Sequence, residues 1–474
     1  MKFRLLTVIF TCLLATGHTL AQSSSLAADS TFSILSFLET IASNHPLVRQ
    51  TKLLDEAAKA EIQMAKGAFD PKAEARFLRK AYDGKDYYNL LNPELKIPTL
   101  PGIDFKTGFE RNAGTYVNAE DKTPAQGLRY LGVSIPLAKG LLTDSRRNGL
   151  KQAKEAQNMA AAEIQKTVNK ILFSAAKDYW EWYAAFKQLQ NARLAIKLAN
   201  TRYDAVLSRI QIGELPNIDS LEAFLFLQDR VILLNQAEQD ERNSKIVISS
   251  YLWSDDGSPL DLLSEAKPAI PETWRKIPNE TEITSWVDSA KNNHPEIRKF
   301  QVKTRLLELD RKLTAEMLKP ALNMNLAWLS APNPALWYDS PVNRNHKIGF
   351  DFSFPLFLRK ERGKLGLMKT KILQNKLEQD NATRSVMNDI QLSGNKINTI
   401  LKNLEVQKLM VENYEKLLEA EIRKFDIGES SLFLINSRES KLIEARIKLI
   451  SMETKLQKER VSLLYAAGRN PLMP

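Results

Sequence analysis

The stretch NNHPEIRK (292–299) decides how this 474-residue chain is read, because it occurs twice: SNHPLVRQ stands at 43–50, placing His45 249 positions before His294. Alone, His294 would be a candidate general base. As one of a pair, each followed by proline and preceded by Asn44 or Asn293, it marks a structural landmark. Pro71 and Pro320 keep the same offset and close the helical segment after each landmark. Further on, VSIPL (133–137) matches FSFPL (352–356) at an offset of 219, so the first copy carries 30 more residues between its landmarks. A third pair, RIQIGELPNIDSLEA from Arg209 and RKFDIGESSLFLINS from Arg423, aligns Gly213 with Gly428 at an offset of 215.

The chain therefore divides into a first repeat over 22–252, a proline-punctuated irregular linker over 253–278 and a second repeat over 279–474. No proline lies between Pro136 and Pro216 or between Pro355 and Pro471. Ala160, Ile164, Val168, Ile171, Ala175, Tyr179, Trp182, Phe186 and Leu189 recur near the helical period. One long helix is predicted over 141–209 and another over 359–424, each roughly 100 Å long at about 1.5 Å per residue. Two such lengths imply a coiled or barrelled helical assembly.

Between helices the period becomes two. Leu322, Met324, Leu326 and Trp328 alternate with Asn323, Asn325 and Ala327, and Ile348, Phe350, Phe352 and Phe354 with Lys347, Gly349, Asp351 and Ser353. The second repeat thus has a strand pair near 321–356. The first has one near 72–137, with Ala73, Ala75 and Phe77 in one strand and Leu131, Val133, Ile135 and Leu137 in the other. The 30 extra residues between them form either another hairpin or an external loop. Four strands with one apolar face leave two open edges, which lipid does not tolerate; three chains would close a 12-stranded barrel, apolar outside and polar within. A soluble antiparallel sheet with its apolar face packed on helices is the competing reading. Trp328, Trp337, Tyr338, Phe354 and Phe357 cluster near strand ends, as an interfacial girdle requires.

The N-terminus has Lys2 and Arg4, an apolar run Leu5 to Ala15 and small residues before Gln22, the pattern of a signal peptide over 1–21. The only cysteine, Cys12, lies inside it, which leaves no disulfide or thiolate metal site after cleavage. With Lys2 and Arg4 removed from 67 basic residues against 56 acidic ones, the net charge is +9, no basis for a nucleic-acid partner over so long a chain. HExxH, GxSxG and GxxxxGK[ST] patterns are absent, so no catalytic, cofactor-binding or metal site is assigned and the chain is read as no enzyme. The basic run RKERGK (359–364) is read as a collar between strands and helix, near anionic groups.

The duplicated NHP starts, the VSIPL and FSFPL strand ends running into long helices, and the paired helix-turn motifs resemble the TolC-like outer-membrane efflux proteins over the whole mature length. The resemblance implies a mainly α fold with a small β part. A homotrimer would join a long-helix α-barrel in the periplasm to a β-barrel in outer-membrane lipid. It implies a passive conduit of a tripartite efflux or type I secretion system, with a periplasmic adaptor protein and an inner-membrane transporter of the RND, ABC or MFS type as partners. It places the periplasmic tip and adaptor contact at turns 210–219 and 425–434, with Arg209, Gly213, Asp219, Lys424, Gly428 and Leu434 as the site residues. Gly213 and Gly428 suit a left-handed helix end, and Asp219, Ser430 or Ser431 the next helix cap. Family members often have aspartate six positions after the glycine; Asp219 fits, whereas the second turn has Leu434, which makes a hydrophobic constriction an alternative to an acidic ring. A soluble periplasmic helical scaffold or binding module without a pore is the alternative from another class.

Overall fold

The structure, a computed structural model, describes residues 31–271, 274, 277–332 and 344–472. The signal-peptide reading of 1–21 and the girdle residues Trp337 and Tyr338 lie outside the described residues. The elements run β1 (Thr31–Ser33), α1 (Ile34–Asn44), α2 (Pro46–Lys66), β2 (Lys72–Tyr82), β3 (Lys85–Pro98), β4 (Asp104–Ala113), β5 (Leu128–Pro136), α3 (Ser145–Gln211) and α4 (Ile218–Ser249). Then follow β6 (Lys267–Ala269), α5 (Glu280–Asn293), α6 (Pro295–Glu316), β7 (Ala321–Ser330), β8 (His346–Ser353), α7 (Arg359–Asp426) and α8 (Leu432–Ala466). The second series repeats the first: helix, His-Pro, helix, strands, long helix, shorter helix. At 67 and 68 residues, α3 and α7 have the predicted length. α3 starts a few residues later than Leu141 because Asp144 caps it, its carboxylate accepting the Arg147 N–H at 2.7 Å.

The two histidines answer the question their duplication raised. A residue before proline is pushed out of the helical region; His45 and His294 have ψ 131° and 132°, ending α1 and α5. Each imidazole then caps the next helix: Nδ1 accepts from Leu47 N–H in one case and Glu296 N–H in the other, both at 3.2 Å. Proline at the first helical position costs nothing, since its missing N–H would have no helical partner. Burial holds both imidazoles below the ordinary histidine pKa, which suits an unprotonated acceptor nitrogen.

The main sheet has six strands in the order β2-β3-β4-β5-β7-β8, every neighbour antiparallel, rather than the four predicted. The 30 extra residues of the first repeat are mostly the hairpin β3–β4, the first of the two alternatives, which the period-two reading leaves open because Pro93, Gly108 and charged residues interrupt the alternation. Register shows that the alternation spans all six strands. One face carries Phe77, Leu95, Phe105, Leu131, Leu326 and Phe350 with their neighbours, the other Glu74, Glu94, Lys106, Ser134, Asn325 and Asp351 with theirs. The apolar face is uncovered: Phe77, Phe350 and Phe352 are 63%, 61% and 69% exposed. It does not pack on helices, as the soluble-sheet reading requires.

Hydrophobic packing concentrates where α1, α3, the C-terminal part of α8 and the linker meet. Phe37, Tyr179, Trp180, Trp182 and Trp274 are fully buried there. The linker is less irregular than its prolines suggest: β6 pairs in parallel with β1, and the Tyr179 hydroxyl, 2.7 Å from Phe32 O and 2.8 Å from Ala269 O, ties both strands to α3. Arg460 of α8 lies over the Trp274 ring with its guanidinium on the Trp274 carbonyl. Among the described residues no helix is long and apolar enough to cross a membrane.

Candidate functional site at the distal helix turns

α3 and α7 leave the sheet and reverse at their far ends through two closely matching turns. At the end of α3, Gly213 takes φ +80°, its N–H goes to Ile210 O at 3.0 Å and Glu214 N–H goes to Arg209 O at 2.9 Å. At the end of α7, Gly428 takes φ +79°, its N–H goes to Phe425 O at 3.1 Å and Glu429 N–H to Lys424 O at 2.8 Å. Each is the two-bond Schellman closure that satisfies carbonyls orphaned at a helix end. No heavy atom lies within 4 Å of where a Cβ would stand at either glycine, so only the left-handed backbone, and no steric limit, requires glycine there.

The turns differ on their exit side. Ser431 caps α8, its hydroxyl accepting the Leu434 N–H at 3.4 Å, while the Ser430 hydroxyl donates to Glu421 at 2.6 Å and holds that carboxyl below its usual pKa. Asp219 does not cap α4, contrary to the sequence reading: Asn217 holds the cap position without a side-chain bond, and Asp219 sits inside the first turn, where its charge complements the helix N-terminus. Its counterpart Leu434 is partly exposed on the first turn of α8.

The structure brings Arg209 to the opposite turn. Its guanidinium donates to Asp426 Oδ1 at 3.1 Å and lies 5.2 Å from the Phe425 ring centre. Behind this pair Val206, Ala223 and Leu432 form a small buried cluster with Tyr203, Ile210, Leu215 and Phe425, joining the α3–α4 hairpin to the α7–α8 hairpin. Lys424 contributes its carbonyl to the second turn, and its side chain is exposed. Of the six predicted residues, then, Gly213, Arg209, Gly428 and Lys424 build the turns, Arg209 also links them, and Asp219 and Leu434 begin the returning helices.

Residues not foreseen from sequence complete the seam. Arg202 pairs with the buried Glu439 and donates to Asn436 Oδ1 at 3.3 Å; Arg230 donates to Ser440 Oγ at 3.0 Å and stacks 4.2 Å from Phe226. Arg202 and Glu439 lie in different repeats, so no local pattern could couple them; the RKFD run did contain Asp426 and Phe425, beside the expected Lys424. Around the turns Ile212, Ile218, Ile427 and Phe433 are each more than 60% exposed, an apolar rim that the chain itself does not cover.

The outer membrane efflux protein family model matches residues 96–249 and 286–469. No curated protein sequence matches the chain. Among solved structures, the CmeC outer membrane channel of Campylobacter jejuni superposes with TM-score 0.61 at 14% identity, over 92% of this chain and 85% of that one. The outer membrane protein VceC of Vibrio cholerae gives TM-score 0.64 at 12% identity, over 92% and 96%. The open-state MtrE outer membrane channel of Neisseria gonorrhoeae gives 0.64 at 12%, over 92% and 89%. These likenesses show a shared fold, and with the family match covering both repeats, the chain belongs to the outer membrane efflux protein family.

Proposed function

We propose that this chain is the outer-membrane conduit of a tripartite efflux or type I secretion system, working as a homotrimer. The observation that carries this is the exposed apolar face of an open-edged sheet, joined to helices of 67 and 68 residues that turn back far from it. Such a sheet has nowhere to bury its apolar face and satisfy its edges except in lipid and against further copies. The helices, roughly 100 Å long, would reach deep into the periplasm. Transport through it needs no covalent chemistry, and the energy comes from an inner-membrane transporter of the RND, ABC or MFS type through a periplasmic adaptor.

On this reading residues 22–252 and 279–474 are the two structural repeats and 253–278 the equatorial linker. Arg209, Gly213, Asp219, Lys424, Gly428 and Leu434 form the periplasmic tip, where the adaptor docks on the apolar rim. The Arg209–Asp426 pair holds the two hairpins together at rest, and docking separates them. The basic residues of 359–364, at the start of α7 just past the sheet, meet anionic headgroups. Membrane fractionation tests this: a heat-modifiable trimer in the outer membrane, with loss of export on deletion, is expected. A soluble monomer would favour the scaffold reading and sink the conduit.

A further inference from the structure

We infer that the assembled β-barrel has 18 strands, six from each chain, closed by β2 of one copy pairing with β8 of the next. This rests on the proposed trimer and concerns its wall. The inserted hairpin could have been an external loop, but its register makes it wall. On β3, Leu91, Pro93, Leu95 and Ile97 share a face with Phe105, Thr107 and Phe109 of β4, and that face continues through Leu131, Val133 and Ile135 to β7 and β8. The opposite face is mainly polar, with Leu78, Leu90, Leu128 and Leu329 its large aliphatic residues, and it is tied across the insertion: Tyr130 on β5 passes over Gly108 on β4 to donate to Glu94 on β3 at 2.6 Å. A Cβ at Gly108 would stand 2.6 Å from both Pro93 O and the Tyr130 hydroxyl oxygen, so glycine opens the path for this bridge. At the base, Asp104 on β4 joins Lys96 on β3 to Arg146 on α3, at 3.1 and 2.8 Å.

The stagger is that of a closed barrel. Direct partners lead from Lys72, the first residue of β2, through Lys96, Lys106, Gly132 and Ala327 to Lys347, six residues short of Ser353, the helix-side end of β8. If the rim is level, Ser353 meets Lys72 of the partner subunit and each chain advances the register by six. Three chains give a shear equal to the strand number and, with a rise of about 3.3 Å and strand spacing of about 4.8 Å, a tilt of about 35°. That falls at the lower end of the roughly 35–45° seen in membrane barrels. A register of four would give about 25° and one of eight about 43°; odd registers would turn apolar residues inward. Since β2 leaves the helical side and β8 returns to it, the new pair is antiparallel like the rest. Barrel width grows roughly linearly with strand number, so this pore is about half again as wide as a 12-stranded one and aqueous throughout. Closure then belongs to the helical end.

Paired cysteines test this in the mature chain, which has no other cysteine once Cys12 is removed with its leader. Thr107→Cys with Leu131→Cys reports β4 beside β5 within a chain. Ala75→Cys with Phe350→Cys reports β2 against β8 between chains, and Ala75→Cys with Phe352→Cys reads the register of eight. Oxidation in outer membranes should give the first disulfide, seen by peptide mapping, and covalently linked chains on gels for either inter-chain pair. Linked chains from Thr107→Cys with Phe350→Cys would instead mean that β4 is the edge and the barrel has 12 strands. Failure of the Thr107–Leu131 disulfide while β2 meets β8 would mean a displaced hairpin, overturning the 18-stranded wall. A trimer by light scattering without any inter-chain link overturns the closure but not the conduit, whereas a monomer overturns the conduit itself.

Discussion

Where α3 crosses the middle of the molecule it presents Tyr179, Trp180 and Trp182 to Phe37 and Trp274, all fully buried. Near its distal end the same helix presents Arg202, Val206 and Arg209 to Glu439, Leu432 and Asp426. The first contact is aromatic packing in a closed core, insensitive to salt and lost only by creating a cavity. The second is a thin apolar cluster flanked by one buried charge pair, Arg202–Glu439, and one exposed pair, Arg209–Asp426, the latter small in effect and screened by salt. One continuous helix thus joins an aromatic collar to a more thinly packed seam with an exposed ion pair at its end, and on the proposed conduit reading it is the seam that separates.

The comparison breaks most readily at the collar. Trp180→Ala should cost about 3–5 kcal/mol, the usual loss for truncating a buried aromatic, and lower the denaturation midpoint of the whole protein. At the seam, Glu439→Ala leaves Arg202 without its carboxylate and should cost about 1.5–3 kcal/mol. Hydrogen exchange should then rise across 200–225 and 425–445 while amides around Trp180 keep their protection; equal loosening in both would refute the division. Valine at Gly213 or Gly428 should cost about 1–2 kcal/mol each through left-handed strain alone. Because neither site is sterically confined, the two variants should match within error, with trimers retained and export blocked; normal export would count against the tip assignment.

Arg209→Ala should change global stability by only about 0.2–1 kcal/mol, since its ion pair with Asp426 is surface-exposed. Its signature is functional: increased passive leak, which high salt should reproduce in the parent protein. The smallest effect concerns pH. His45 and His294 have folded pKa values below their unfolded ones, so the folded state binds fewer protons. Their contribution is complete above the unfolded value of about 6.5 and is lost as pH falls through the folded values. Asparagine at both positions keeps an acceptor for each helix cap and should flatten this acid slope in thermal melts.

Much of this was legible in the chain because it depends on local rules. Proline spacing and helical period gave α3 and α7 to within a few residues at each end, since a helix boundary is set by its own caps and breakers. The turn glycines were readable for the same reason. Asp219 is not the cap because the turn at Pro216 and Asn217 starts α4 at Ile218, which leaves Asp219 inside the first turn. Hairpin β3–β4 was left open because its outward residues include Pro93 and Thr107, too weak an alternation to recognise without knowing what lies beside them.

The sequence by itself determined the duplication, the long helices, the amphipathic strands of the second repeat and the role of His45 and His294 as paired landmarks, since each follows from periods and punctuation in the chain. Only the tertiary structure decided that the sheet has six strands, that the linker completes the aromatic collar, and that Arg209 and Arg202 find Asp426 and Glu439 across the two repeats. The contacts of Arg209 and Arg202 join residues more than 200 positions apart, and partners at that distance are chosen by how packed elements fall against each other, which no local pattern records.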